Sequence, residues 1–323
     1  MTSATAQHMT IKTWALLLLL SLIWGGSFIF NRYALIDFEP LTVVAGRVAI
    51  AAVVLHLFLR FRGIAMPGDR TSWGQWAMMG ILNNAIPFTL IVWGQTRIEP
   101  GLASILNATT PLFGVVIAHV LTADERLTSN RMAGVGLGIA GVLVLVGPDV
   151  IGTSQNSIAG QIAILGASLA YALGGLWGRR LRRHPAMVNA TGQVTCSAII
   201  MLVLAVAIER PWKYGDVGGS SVMAILGLGL LSTAVGYTLY FRILGSSGAT
   251  NVMLVTLIIP VSALWLSWLF FSESITLDNL VGMILIGAGL LAIDGRLLRR
   301  FRSAVMQSQG KPVSVLNSEN KCA

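Results

Sequence analysis

Apolar and polar positions in this chain come in blocks. Apolar runs of about 20 residues, long enough to cross a hydrocarbon core of roughly 30 Å, alternate with short polar segments. The blocks predict ten membrane-spanning helices, at 14–34, 41–61, 73–95, 101–121, 132–147, 158–177, 186–208, 221–241, 249–271 and 277–293. The segment PDVIGTSQNS, rich in Gly, Ser, Asn and Gln, separates the fifth span from the sixth.

The blocks also repeat. Gly80, Leu82, Ala85, Thr89, Leu90 and Pro111 recur 149 positions later as Gly229, Leu231, Ala234, Thr238, Leu239 and Pro260. One residue is then dropped, and Glu125, Thr128, Gly134, Leu137, Ala140, Gly141 and Leu143 recur as Glu273, Thr276, Gly282, Leu285, Ala288, Gly289 and Leu291. The order of the identities, a proline and a glutamate among them, points to a duplicated unit. The expected organisation is a cytoplasmic tail (1–12), a first repeat of five spans (13–148), a linker (149–157), a second repeat (158–296) and a basic, then polar tail (297–323).

Composition agrees. Charged residues make up 11 % and hydrophobic ones 55 %, against about 25 % charged in a soluble chain. The net charge of +9 follows membrane orientation and does not describe a nucleic-acid surface. With the N-terminus inside, cytoplasmic segments carry Lys12, Arg60, Arg62, Arg70, Arg126, Arg131, Arg179, Arg180, Arg182, Arg183, Arg242, Arg296, Arg299, Arg300, Arg302, Lys311 and Lys321. The outer set is Arg32, Arg97, Arg210 and Lys213. Seventeen against four orients the chain by the positive-inside rule, with both termini in the cytoplasm.

Five spans per repeat put the second repeat into the bilayer upside down. The acidic loop IDFEP after the first span is matched by the basic GRRLRRHP after the sixth. Such inverted repeats characterise secondary transporters, in which two halves move about a midplane site. The first apolar run lacks a small-residue cleavage site and reads as a span rather than a leader. Cys196 and Cys322 form neither a disulfide framework nor a metal spacing.

The motifs LIWGGSFIF in span 1, PLTVVAGR opening span 2, Pro111 in span 4 and E-R-L-T before the glycine-rich span 5 carry a resemblance. Over roughly residues 13–296 the chain resembles the EamA-type ten-span members of the drug/metabolite transporter superfamily. The resemblance implies inner-membrane export of a small metabolite, amino acid or drug. It also implies a central cavity lined by spans 1, 3, 4, 6, 8 and 9.

Candidate site residues follow from polar and aromatic positions at membrane depth. Asn107 lies four residues before Pro111, and Thr256 four before Pro260, so each proline frees a carbonyl beside a polar side chain. This suits cargo binding or a hinge at Pro111 and Pro260; the alternative is a cap on the kink. Trp24, Phe28 and Asn31 share a face of span 1, and Tyr171 lies on the matching face of span 6. Asn84 and Phe88 share a face of span 3, and Thr233, Tyr237 and Tyr240 one of span 8. Together they predict an aromatic, weakly polar pocket, with ordinary packing as the alternative.

Arg47 is the clearest ionisable residue within a span. It costs about 2.5–3.5 kcal/mol at a helix centre, and either attracts an anionic group or ties helix ends together; its counterpart is neutral Gln193. His56 and His119 read as helix contacts, and Glu125 and Glu273 as helix caps. No carboxylate lies clearly mid-membrane, which favours facilitated or weakly coupled export and leaves proton coupling open. The G-x-G-x-x-G match at 136–141 lies inside a span and reads as close helix packing, for example of spans 5 and 10. Asn107-Ala-Thr and Asn189-Ala-Thr lie in spans, so glycosylation is not expected. No catalytic, zinc or Walker pattern occurs, and no catalytic residue, metal or cofactor is expected.

The sequence therefore predicts an all-α integral membrane transporter of ten helices in two inverted five-helix repeats. Its expected partners are a small-molecule substrate and the lipid bilayer, with no nucleic acid. Uptake by the same fold, or a membrane-embedded enzyme or sensor, stands as the alternative. Substrate and oligomeric state are not fixed by the sequence.

Overall fold

The structure is a computed structural model, and it describes residues 10–121, 128–150, 157–181, 183–248, 252 and 254–294. Among these, eight helices are long and apolar enough to cross a membrane, and two shorter apolar helices follow. They are α1 (Ile11–Ala34), α2 (Pro40–Phe61), α3 (Arg70–Gln95), α4 (Pro100–Leu121), α5 (Ser129–Val150), α6 (Ile158–Gly178), α7 (Ala186–Glu209), α8 (Gly219–Ser247), α9 (Val255–Phe271) and α10 (Leu277–Asp294). The Glu125 cap, most of the 149–157 linker and the tail beyond 294 lie outside the described residues, as does the N-terminal tail up to residue 9.

Local chemistry sets several helix starts. Thr10 caps α1 by accepting from the Thr13 N–H at 3.2 Å, and Asp69 caps α3 by accepting from the Ser72 N–H at 2.9 Å. Two other caps are supplied across the fold. The Glu209 carboxylate, at the end of α7, accepts from the N–H groups of Leu41 and Thr42 and from the Thr42 hydroxyl, each at 2.7 Å. Glu273 accepts from the Gly101 N–H at 3.1 Å, so it caps α4 rather than α10. The start of α10 is held by Thr276, whose Oγ1 accepts from the Asn279 N–H at 3.2 Å. Ser272, in the left-handed conformation at φ 52°, ends α9 and turns the chain so that Glu273 reaches α4.

The halves interleave. Helix α1 packs on α8 and α9, α2 on α7 and α8, α3 on α6 and α7, α4 on α6, and α5 on α10. Exchanging α1–α5 with α6–α10 maps this set of contacts onto itself. Chain direction is visible in two of the pairs. The start of α2 meets the end of α7 through Glu209. In α5 and α10, a Cβ built on Gly289 would lie 2.5 Å from the Gly134 carbonyl, and one on Gly141 2.9 Å from the Gly282 carbonyl. Early positions of one helix thus face late positions of the other, and both pairs are antiparallel. Glycine at these crossings lets the backbones meet.

The apolar interior has two main clusters. One gathers Leu20, Phe28, Leu106, Ile164, Ile243 and Leu264; the other gathers Val44, Val48, Leu55, Val92, Met201 and Leu228. Outward positions are also apolar, with Val53 61 % and Ile199 59 % exposed, the exterior of a chain surrounded by lipid rather than water.

Candidate functional site

The seam between the two apolar clusters is where the polar and aromatic side chains meet. Tyr171 of α6 packs against both clusters. Three helices carry local distortions, two of them at the seam. Ile81–Ala85 of α3, Ala205–Glu209 of α7 and Leu228–Val235 of α8 wind as π-helix, a widened turn that re-aims side chains and recurs at functional positions. The α3 and α8 segments occupy matching places in the two repeats, since Leu82 and Ala85 correspond to Leu231 and Ala234. In α3 the widened turn leads into Pro87, which has no N–H to continue the ladder.

Arg47 of α2 lies at the centre and is 6 % exposed. Its Nε donates to the Thr233 hydroxyl at 2.9 Å, and that hydroxyl donates onward to the Leu228 carbonyl at 2.9 Å. The guanidinium lies over the Phe88 ring, 3.7 Å from Cζ to centroid, a cation–π contact. Phe88 meets Tyr171 edge to face at 6.4 Å. The Tyr171 and Tyr237 phenols stand within electrostatic reach of Arg47, and the Tyr237 hydroxyl accepts from Asn83 Nδ2 at 3.2 Å. Asn84 is fully buried, and neither carboxamide atom makes a hydrogen bond of good geometry.

Arg47 and Glu273 are the only buried Lys, Arg, Asp or Glu side chains among the described residues, and Arg47 forms no ion pair there. Its terminal nitrogens make no hydrogen bond.

The remaining predicted residues distribute around this centre. Trp24 donates from Nε1 to the Ser232 carbonyl at 3.0 Å, within the π-segment of α8, and its ring lies 5.7 Å from that of Tyr240. Gly236 makes room for it, since a Cβ there would come 2.6 Å from the indole nitrogen. Asn31 donates to Gln95 Oε1 at 2.8 Å, and Gln95 Nε2 donates to the Phe28 carbonyl at 2.9 Å, a small network joining α1 to α3 with Phe28 in the core beside it.

Asn107 ends the first segment of α4, and two turn residues separate it from Thr110–Leu121. Pro111 leaves the Asn107 carbonyl without its helical donor, and the hydroxyls of Thr110 (2.8 Å) and Ser168 of α6 (3.3 Å) donate instead. The Asn107 Oδ1 is buried without a hydrogen bond. Helix α9 behaves differently. From Val255 it runs unbroken through Pro260, with Thr256, the residue four before the proline, in its first turn.

The structure therefore joins Arg47, Asn84, Phe88, Tyr171, Thr233 and Tyr237, with Trp24 and Tyr240 beside them. It sets Asn31 and Asn107 on separate contacts, and Thr256 in the first turn of α9. Asn83 and Ser232 were not expected from the sequence, whereas their neighbours Asn84 and Thr233 in the same widened turns were. Two recesses of about 490 Å³ open elsewhere. One lies at the ends of α2, α3 and α7, among Glu39, Thr89, Trp93, Arg97 and Glu209; the other is an apolar groove between α1 and α8.

Comparison with known proteins gives this geometry its context. Residues 12–147 and 158–293 each match the profile of the EamA-like transporter family. The chain belongs to that family. It is 24 % identical to the uncharacterized transporter YoaV of Bacillus subtilis over 275 residues, covering 84 % of this chain and 92 % of the relative. It is 25 % identical to a probable amino-acid metabolite efflux pump of Salmonella typhimurium over 295 residues, covering 87 % and 94 %. A solved crystal structure superposes with a TM-score of 0.64 at 19 % identity, covering 90 % of this chain and 98 % of that one, a likeness of fold. This EamA family member is a multi-pass membrane transporter and not an enzyme.

Proposed function

We propose that this EamA family member exports a small metabolite or amino acid across the inner membrane by alternating access, with its cargo site in the seam around Arg47. The observation that carries the reading is that both repeats build the cluster. Arg47, Asn84 and Phe88 come from the first, and Tyr171, Thr233 and Tyr237 from the second. A site shared by two interleaved halves opens to one side or the other as the halves move. The halves are taken as residues 13–148 and 158–296, ten spans in all. The antiparallel pairing of α5 with α10 and of α2 with α7 supports inverted topology. With the basic segments inside, both termini are cytoplasmic.

The break in α4 at Asn107 and the proline within α9 make Pro111 and Pro260 the proposed hinge points. The direction of transport follows the relatives named as probable efflux pumps. Trp24, Phe28, Asn31, Asn107, Tyr240 and Thr256 are proposed to line the path on either side of the central cluster.

The test is metabolite profiling of medium from cells overproducing the chain, set against cells overproducing Asn84→Ala/Tyr237→Phe at equal membrane level. Compounds enriched outside by the native chain and not by the variant are expected. Equal enrichment by both would remove the seam as the cargo site.

A further inference from the structure

We propose that Arg47 selects cargo by charge, so that the seam takes solutes bearing one carboxylate on an apolar body and refuses cations of the same shape. The proposal deepens the transport reading above and rests on it. Guanidinium remains protonated in proteins, so its unshared donors dictate what the site accepts. The Phe88 ring covers one face of the group at 3.7 Å, and Thr233 takes Nε. That hydroxyl commits its own proton to the Leu228 carbonyl, which fixes it as an acceptor toward Arg47. What remains is the edge carrying the two terminal nitrogens, buried with the rest of the side chain and without a hydrogen-bond partner among the described residues. Parallel donors of this kind match the two oxygens of a carboxylate.

The surroundings decide the rest. No carboxylate among the described residues pairs with Arg47, so a cationic solute meets an uncompensated like charge. Like charges brought together away from water repel strongly. A single cation suits a single negative charge. The two side-chain polar atoms of Asn84, fully buried beside Tyr237, make no hydrogen bond of good geometry. They can receive a neutral polar group or N–H of the cargo without adding charge. Phe88, Tyr171 and Tyr237 provide the apolar walls.

The test uses the purified full chain in detergent and four probes of one shape: 3-phenylpropanoate (anion), 3-phenylpropylamine (cation), 3-phenylpropanol (neutral) and phenylalanine (zwitterion). Binding of radiolabelled 3-phenylpropanoate is measured directly, and the others compete against it. The expected result is binding of the anion at least about tenfold tighter than of the amine, in the range lost with one charge-assisted hydrogen-bonded contact. Arg47→Gln should erase the preference, and Arg47→Lys should retain part of it.

Should Arg47→Gln not fold, judged by its ligand-free melting temperature, Thr233→Val serves instead. It frees Nε and should reduce the preference with the charge still present. An amine that competes as well as the anion overturns charge selection and leaves the cargo site standing. Absence of labelled anion binding also overturns it. Failure of the transport reading shows separately, as unchanged export by Asn84→Ala/Tyr237→Phe.

Discussion

The crossing of α5 and α10 allows a quantitative expectation. A Cβ added at Gly289 would sit 2.5 Å from the Gly134 carbonyl and 3.0 Å from the Gly138 nitrogen. Ordinary contact begins at 3.4 Å, so the two backbones must separate by about 0.9 Å, the difference between 3.4 and 2.5 Å. The obstacle is a backbone oxygen, which has no rotamer to escape into. Overpacking of this kind costs typically about 1–3 kcal/mol. The separation also loosens the second crossing, Gly141 on Gly282.

Gly287 provides the control, because a Cβ there meets nothing within 4 Å. Gly287→Ala should be neutral or stabilising by up to about 1 kcal/mol, the helix-propensity difference between alanine and glycine. The assay is thermal unfolding of both variants in the same detergent, followed by intrinsic tryptophan fluorescence. Gly289→Ala is expected to melt several degrees below the native chain and Gly287→Ala at or above it. Equal midpoints for the two variants would refute the argument that backbone contact holds this pair.

Other outcomes follow from single contacts. Glu209→Ala removes three hydrogen bonds at the start of α2 and should cost about 1–2 kcal/mol in the same assay. Glu39→Ala, at the N-cap position itself but without a side-chain cap bond, should cost almost nothing. Glu273 has its carboxyl raised above the ordinary value, first by burial, against the lowering effect of the Ser267 and Gly101 hydrogen bonds, with Glu99 nearby adding to the rise. The folded state therefore holds that proton more tightly than the unfolded chain. The stability it contributes is complete below the ordinary glutamate pKa and is lost as pH rises through the ordinary and then the raised value. Melting midpoints from roughly pH 4 to 8 should fall less steeply in Glu273→Gln than in the native chain. Asp69 behaves oppositely: its cap bonds to Ser72 hold the carboxyl below the ordinary value. Its contribution is present at neutral pH and disappears as pH falls through that lowered value, a loss absent from Asp69→Asn melts.

Much of the fold was legible in the sequence because it depends on local properties. A run of about 20 apolar residues is helical in a bilayer whatever its neighbours, since the helix alone satisfies the backbone within one segment. The repeat could be read from Gly80/Gly229, Pro111/Pro260 and the paired glycines of α5 and α10. The aromatic and polar faces of α3 and α8 were visible as periodicity, and Asn84, Phe88, Thr233 and Tyr237 from them meet around Arg47, with Tyr171 of α6.

The tertiary structure decided the partners. Pro111 and Pro260 look alike in sequence, yet Pro111 stands just inside the start of a new helical segment, after the break at Ala108 and Thr109, while Pro260 lies within the continuous Val255–Phe271 helix. Glu273 stands beside α10 in sequence and caps α4 in space, through the left-handed turn at Ser272. Glu39 occupies the cap position of α2, while Glu209, 167 residues from Thr42, supplies the bond. Above all, Arg47 alone says only that a cation is buried. That it rests on Phe88, is held by Thr233 and leaves its outer nitrogens without a hydrogen bond depends on helices from both repeats meeting at a widened turn. Hydrophobic length and helical periodicity are written along the chain. Hydrogen-bond partners are set by which backbones approach closely enough to share a donor, and that depends on packing between segments far apart in sequence.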